Sequence, residues 1–196
     1  CSMNIRIPTI LSVLFLMTVL LTTNTTSAQN GRSIAGVTFD QKLKVKEDYL
    51  NFNGCGLREK YTIDLYVAAL YLKRPSLDGS AIINANETQA IKIVIISNKV
   101  TRDKFNESVK EGFEKSTVGK ASSDQITQFK SYFSEPFNLN DEILLIYVPG
   151  KGVAVTINGK YKGLVEGLEF KKALFGIWLG DDPASNKLKK GMLGQL

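Results

Sequence analysis

Polar side chains interrupt an apolar stretch, LREKYTIDLYVAALYL (57–72), among them Arg58, Tyr61, Thr62, Asp64, Tyr66 and Tyr71. An arginine in such a setting is paired, faces water, or awaits an anion. Exposure, or pairing with Glu59 or Asp64, is the plainer assignment, since arginines are mostly exposed. The functional assignment is an anion anchor. A forked guanidinium beside a phenol hydroxyl is a sensible pair of donors for a carboxylate.

Other chemistries find little support. The 196 residues contain no histidine, so a Ser-His-Asp triad is impossible. No metal cluster is visible, and no cofactor is expected. The GKGV segment at 150–153 is too short for a phosphate loop, and no helix follows Gly54-Cys55-Gly56 to make a dinucleotide fingerprint. The formal net charge is +6, but lysines such as Lys42, Lys44, Lys46, Lys171, Lys172, Lys187, Lys189 and Lys190 are scattered. Scattered lysines read as a solvated surface, and no nucleic-acid partner is expected.

The N-terminus reads as an address. Ile10 to Leu21 is an apolar run after the basic start Met3-Asn4-Ile5-Arg6, and Thr26-Ser27-Ala28 suits a cleavage site. Residues 1–28 are therefore expected to be a signal peptide cut before Gln29, with Met3 as initiator. The run is shorter than the roughly 20 residues that span a bilayer. Export to the periplasm or beyond follows, with no stable membrane anchor. Residues 29–196 form one domain with a single cysteine, Cys55, which is expected as core filler.

The elements that must position Arg58 come next. Period-two alternation predicts strands over most of 34–72, with YTIDLYVAALYL (61–72) as one of them, then strands at 91–97, 143–149 and around 153–157. Asn158-Gly159 is the strongest hairpin signal. A short helix is expected at 81–85. Thr101 caps a helix to about Lys115, with Phe105, Val109 and Phe113 on one face. Ser122 or Ser123 caps the next, which runs to about Phe133. A helix at 168–179 ends at Gly180, and Asp182-Pro183 starts the last. Hairpin-linked strands without βαβ alternation define an α+β class: an antiparallel sheet with helices packed on one face.

The runs IAGVTF, LNFNGCGLREKY and LYVAALYL, with ALFGIWLGDDPAS near the C-terminus, resemble the chalcone-isomerase-like family. The resemblance covers about residues 33–194 and is most specific in NGCGLR followed by YVAALYL. It implies an open-faced β-sandwich with a ligand cleft. It also implies one of two uses: an intramolecular lyase (isomerase) acting on chalcones, or non-catalytic fatty-acid binding. Both use one arginine to hold an anionic oxygen, and Arg58 stands at that position. Where isomerases carry a Thr on the following strand, this chain has Tyr66, the pattern of fatty-acid binders. The helix-start set of isomerases is matched by Thr101, Lys104 and Ser108, with only the lysine kept. A polar residue of the last core helix is replaced by Ile177 or Trp178.

The reading is an exported, non-catalytic binder of a fatty acid or similar amphipathic acid, held by Arg58 and Tyr66. The alternatives are an isomerase using Arg58, Lys104 and Thr101, and a ligand-free envelope interaction module. Leu65, Val67, Leu70, Ile93, Ile95, Phe105, Phe113, Ile177 and Trp178 are candidate walls. One difficulty is geometric. Eight residues of straight strand separate Arg58 and Tyr66 by about 26 Å, and EKYTID holds no good turn pair. The two converge only if the chain bends or reverses between them.

Overall fold

The computed structural model describes residues 31–196. The expected signal peptide and its cleavage site lie outside the described residues. A seven-stranded antiparallel sheet is the frame: β3 (Lys42–Val45), β4 (Asp48–Lys60), β5 (Ile63–Leu72), β6 (Gln89–Ile95), β7 (Glu142–Val148), β8 (Gly152–Ile157) and β9 (Lys160–Glu166), hydrogen-bonded in that order. A separate hairpin precedes it, β1 (Arg32–Ile34) with β2 (Val37–Phe39). Among the described residues five helices are interspersed: α1 (Gly79–Asn84), α2 (Arg102–Lys115), α3 (Ser123–Ser131), α4 (Leu168–Leu179) and α5 (Asn186–Met192).

Alternation along each strand sorts side chains into two cores. Ala68, Leu70, Leu72, Ile91, Ile93, Ile143 and Leu145 face the helices and meet Phe113, Phe129, Phe170 and Leu174. Val67, Ala69, Tyr71, Ala90 and Val94 face the other way, where Phe39, Val45 and Leu50 join them from β2, β3 and β4. The large sheet is thus backed by helices on one face and only partly covered on the other, the open-faced α+β architecture expected. Among the described residues, no helix is long and apolar enough to cross a membrane.

Local signals explain most boundaries. The Thr101 hydroxyl accepts from the Lys104 backbone N–H at 3.3 Å and starts α2, whose Phe105, Val109 and Phe113 are buried. Ser122 and Gln125 form a reciprocal capping box on α3. Asn158 and Gly159, with φ of 50° and 74°, make the left-handed turn between β8 and β9. One start differs from expectation. The last helix begins at Asn186 with Ser185 as its cap, whereas Asp182 reaches Lys115 at 3.9 Å. A serine that could bond Leu188 N–H was the stronger cap, and Pro183 served only to break the chain.

The glycines of NGCGLR have a packing reason. A Cβ on Gly56 would lie 2.7 Å from the Leu188 carbonyl oxygen, and one on Gly54 would strike the Gly191 carbonyl of α5. Only glycine lets α5 lie directly on β4. Between them Cys55 points to the opposite face, where it is partly rather than fully buried, and burial raises its thiol pKa.

Lys171 is not part of the solvated surface. It is fully buried, and its Nζ donates to the carbonyls of Ile82, Ile83 and Ala85, each at 2.9 Å. The rings of Tyr147 and Phe175 stand 5.2 and 5.1 Å from the same nitrogen. Burial and the adjacent Lys172 push this amine down to about 7, while three carbonyls that can only accept favour the protonated form. The ammonium ties the end of α1 to α4. Lys171→Met is expected to lower stability by about 2–4 kcal/mol, because carbonyls lose their donor in a buried site. Urea unfolding monitored by circular dichroism measures it, and a change below the error of the midpoint refutes the tie.

Candidate functional site

The distance between Arg58 and Tyr66 is closed by a reversal that the sequence hid. Tyr61 and Thr62 both have left-handed φ, 51° and 66°, and form the two-residue turn between β4 and β5. Primed turns of this kind suit the twist of a hairpin, but they normally recruit Asn or Gly. Thr62 is β-branched, which makes its positive φ uncommon. Residues 61–72 are therefore a turn plus a strand rather than one strand. Arg58 and Tyr66 become direct cross-strand partners, a pairing that places Cβ atoms about 5 Å apart on one face.

A register shift follows at once. Glu59 pairs with Asp64 and Arg58 with Tyr66, so Leu65 is an extra residue on β5. Such a bulge breaks the alternation of faces. Leu65 and Tyr66 both pack toward the helical side in consequence. A second shift makes Asn53 the extra residue on β4. Its amide donates to Ser76 O at 3.0 Å and Met192 O at 2.9 Å, and its carbonyl accepts from Ser76 N at 2.7 Å.

Leu65 and Tyr66 open onto a cleft of about 300 Å³ between the β4–β5 tip and α2. Ile63, Val100 and Phe105 complete its apolar wall. Lys60, Lys99 and Lys104 stand around it with Ser108, Glu107 and Glu111 of α2. Those three lysines have no carboxylate partner among the described residues. Tyr61, 86% exposed, stands at the cleft with the Lys60 ammonium 5.6 Å from its ring centroid.

At Tyr66 the hydrogen bonding has one direction. Trp178 of α4, only 4% exposed, donates its indole N–H to the Tyr66 oxygen at 3.1 Å. Burial raises the Tyr66 phenol, and the Trp178 N–H and the positive charge of Arg58 oppose that rise. Arg58 itself donates to the Glu59 carbonyl at 2.8 Å. It has no ion-pair partner among the described residues, since Glu59 turns to Lys187 at 3.8 Å. Arg58 does not line the cleft. It stands beside Tyr66 in the sheet.

The remaining sequence candidates divide. Lys104 and Ser108 line the cleft, but the Thr101 hydroxyl is committed to capping α2. Leu65 and Phe105 are walls. Val67 faces the opposite core, while Leu70, Ile93, Ile95, Phe113 and Ile177 are ordinary buried packing. Trp178 was read only as wall, and its role as donor to Tyr66 was missed. A tryptophan late in an apolar helix gives no sign of which way its single N–H points. Lys60, which ends β4 just before the Tyr61-Thr62 turn, and Lys99, in the turn before α2, were also missed, because the sequence places neither turn.

The chain belongs to the chalcone isomerase-like family, whose model matches residues 31–194. A fatty-acid binding protein of Arabidopsis thaliana has a similar fold, with a TM-score of 0.65 at 21% identity. The match covers 81% of this chain and 92% of that one. No curated protein matches the chain by sequence.

The left-handed pair 61–62 carries a conformational cost of about 1–3 kcal/mol per residue. Replacing it with Tyr61→Asn and Thr62→Gly is expected to raise stability by about 1–2 kcal/mol. Urea titration of the double variant checks this, and an unchanged or lower midpoint would show that the turn is unstrained.

Proposed function

We propose that this is an exported binding protein that holds a fatty acid, or a similar amphipathic carboxylate, without transforming it. The observation that carries the reading is Tyr66 in the lining of a largely apolar cleft, with the unpaired Arg58 directly across the strand pair. One polar anchor and apolar walls are what an acyl chain with a charged end requires. The Arabidopsis protein that shares this fold is a fatty-acid binding protein, which supports that use. A volume of about 300 Å³ stands at the lower end of small-molecule sites, which favours a medium-length chain. For isomerase chemistry, the Thr101 hydroxyl is spent on a helix cap and Tyr66 replaces the catalytic threonine implied by the resemblance. Losing a preorganised donor typically costs on the order of 10²–10³ in rate.

The test has two parts. Mass spectrometry of the protein purified from its native host should find a carboxylic acid, and the mature chain should begin at Gln29. Calorimetric titration with decanoate should then show Arg58→Ala binding at least tenfold more weakly, as expected for loss of a charge-assisted interaction. Unchanged affinity in the variant removes Arg58 from the site.

A further inference from the structure

The hydrogen-bond inventory around Tyr66 contains only donors. A phenol can both give and accept, but indole N–H and guanidinium groups can only give. Trp178 gives to the Tyr66 oxygen at 3.1 Å, and the charge of Arg58 stands on the same side of the sheet. No acceptor among the described residues takes the Tyr66 hydroxyl proton. Trp178 is almost wholly buried on a helix whose inner positions, Leu174 and Phe175, are fully buried, so its N–H cannot turn away without losing that bond in an apolar setting. Trp178 engages the Tyr66 oxygen from one side and the Arg58 guanidinium stands across the strand pair, so the phenol meets only donors while its proton has no acceptor among the described residues.

We infer that Trp178 is a specificity-determining residue: by occupying the Tyr66 oxygen it makes the phenol an obligate donor, so the cleft selects a deprotonated acid over the alcohol of equal length. This rests on the acid-binding reading above and sharpens it. A carboxylate offers lone pairs to Tyr66 and charge to Arg58. An alcohol offers one weaker acceptor, and its own proton meets a Tyr66 oxygen already engaged by Trp178. The three unpaired lysines around the cleft, Lys60, Lys99 and Lys104, bias it the same way. The acceptors in the lining are Glu107, Glu111 and Ser108 of α2 and the Tyr61 hydroxyl at the β4–β5 turn.

The experiment compares decanoate and 1-decanol at pH 8 by calorimetry on the wild-type chain, Trp178→Phe and Tyr66→Phe, each first checked for folding by circular dichroism. The wild type is expected to prefer decanoate by at least tenfold. Trp178→Phe should cut that ratio by about tenfold, as a freed phenol oxygen can accept from the alcohol. A merely structural role would weaken both ligands together and leave the ratio unchanged, which would overturn the assignment while leaving acid binding intact. Tyr66→Phe keeps the indole, and should weaken decanoate about tenfold with little effect on decanol. Equal weakening of both also overturns it. Binding of neither probe by the wild type would reject the acid-binding reading itself, and the selectivity with it.

Discussion

The site depends on how β4 pairs with β5. A turn at Tyr61-Thr62 sets Arg58 opposite Tyr66, and one extra residue, Leu65, swings two consecutive side chains toward the helices. Without the turn the two polar groups are strand-lengths apart. Without the bulge, strict alternation would send either Leu65 or Tyr66 to the far face. Both departures from regular structure serve the same few ångströms of surface. Strained backbone persists where the surroundings over-determine it, and here β5 is clamped between β4 and β6 for seven residue pairs beyond the bulge.

The same strand pair explains why α5 is placed as it is. Gly54 and Gly56 offer bare backbone on the helical face, and Gly191 of α5 returns the same concession. The bulged Asn53 locks the contact with bonds to Ser76 and Met192. β4 thus supports a helix at its middle and presents Arg58 near its end. The stretch NGCGLR is a packing motif that ends in an arginine without an ion-pair partner among the described residues, and its parts need different explanations.

How much was legible follows from which residues speak for themselves. Phe105, Val109 and Phe113 announce a buried helix face, and Asn158-Gly159 announces a turn, because both patterns follow directly from backbone geometry. The class of fold was legible in the same way, while Arg58 and Tyr66 were singled out through the family resemblance and their juxtaposition came only from the pairing of β4 with β5. Tyr61-Thr62 was not, since neither residue favours positive φ and only pairing across the hairpin imposes it. Lys171 was unreadable for a related reason. A lysine beside another lysine looks solvent-facing until the carbonyls of α1 arrive from some 90 residues away to receive it. Tertiary partners override local preference where an unpaired buried group would cost more than a strained or charged one.

The shape of the cleft follows from what fills the rest of the core. Phe105 packs on Phe133 and Phe137 with ring centroids at 4.7 and 5.1 Å, and Phe113, Phe129 and Phe170 continue the aromatic cluster inward. That cluster leaves the space beneath α2 closed, so the cleft is bounded on one side by Phe105 and on another by Tyr66. On the proposed reading a ligand would gain apolar contact on these walls and take its orientation from the polar end, because oily surfaces are interchangeable and a single hydroxyl proton is not. The charged groups around the cleft come from the β4–β5 tip, the segment before α2 and α2 itself, whereas the bond to the Tyr66 oxygen comes from α4 through Trp178.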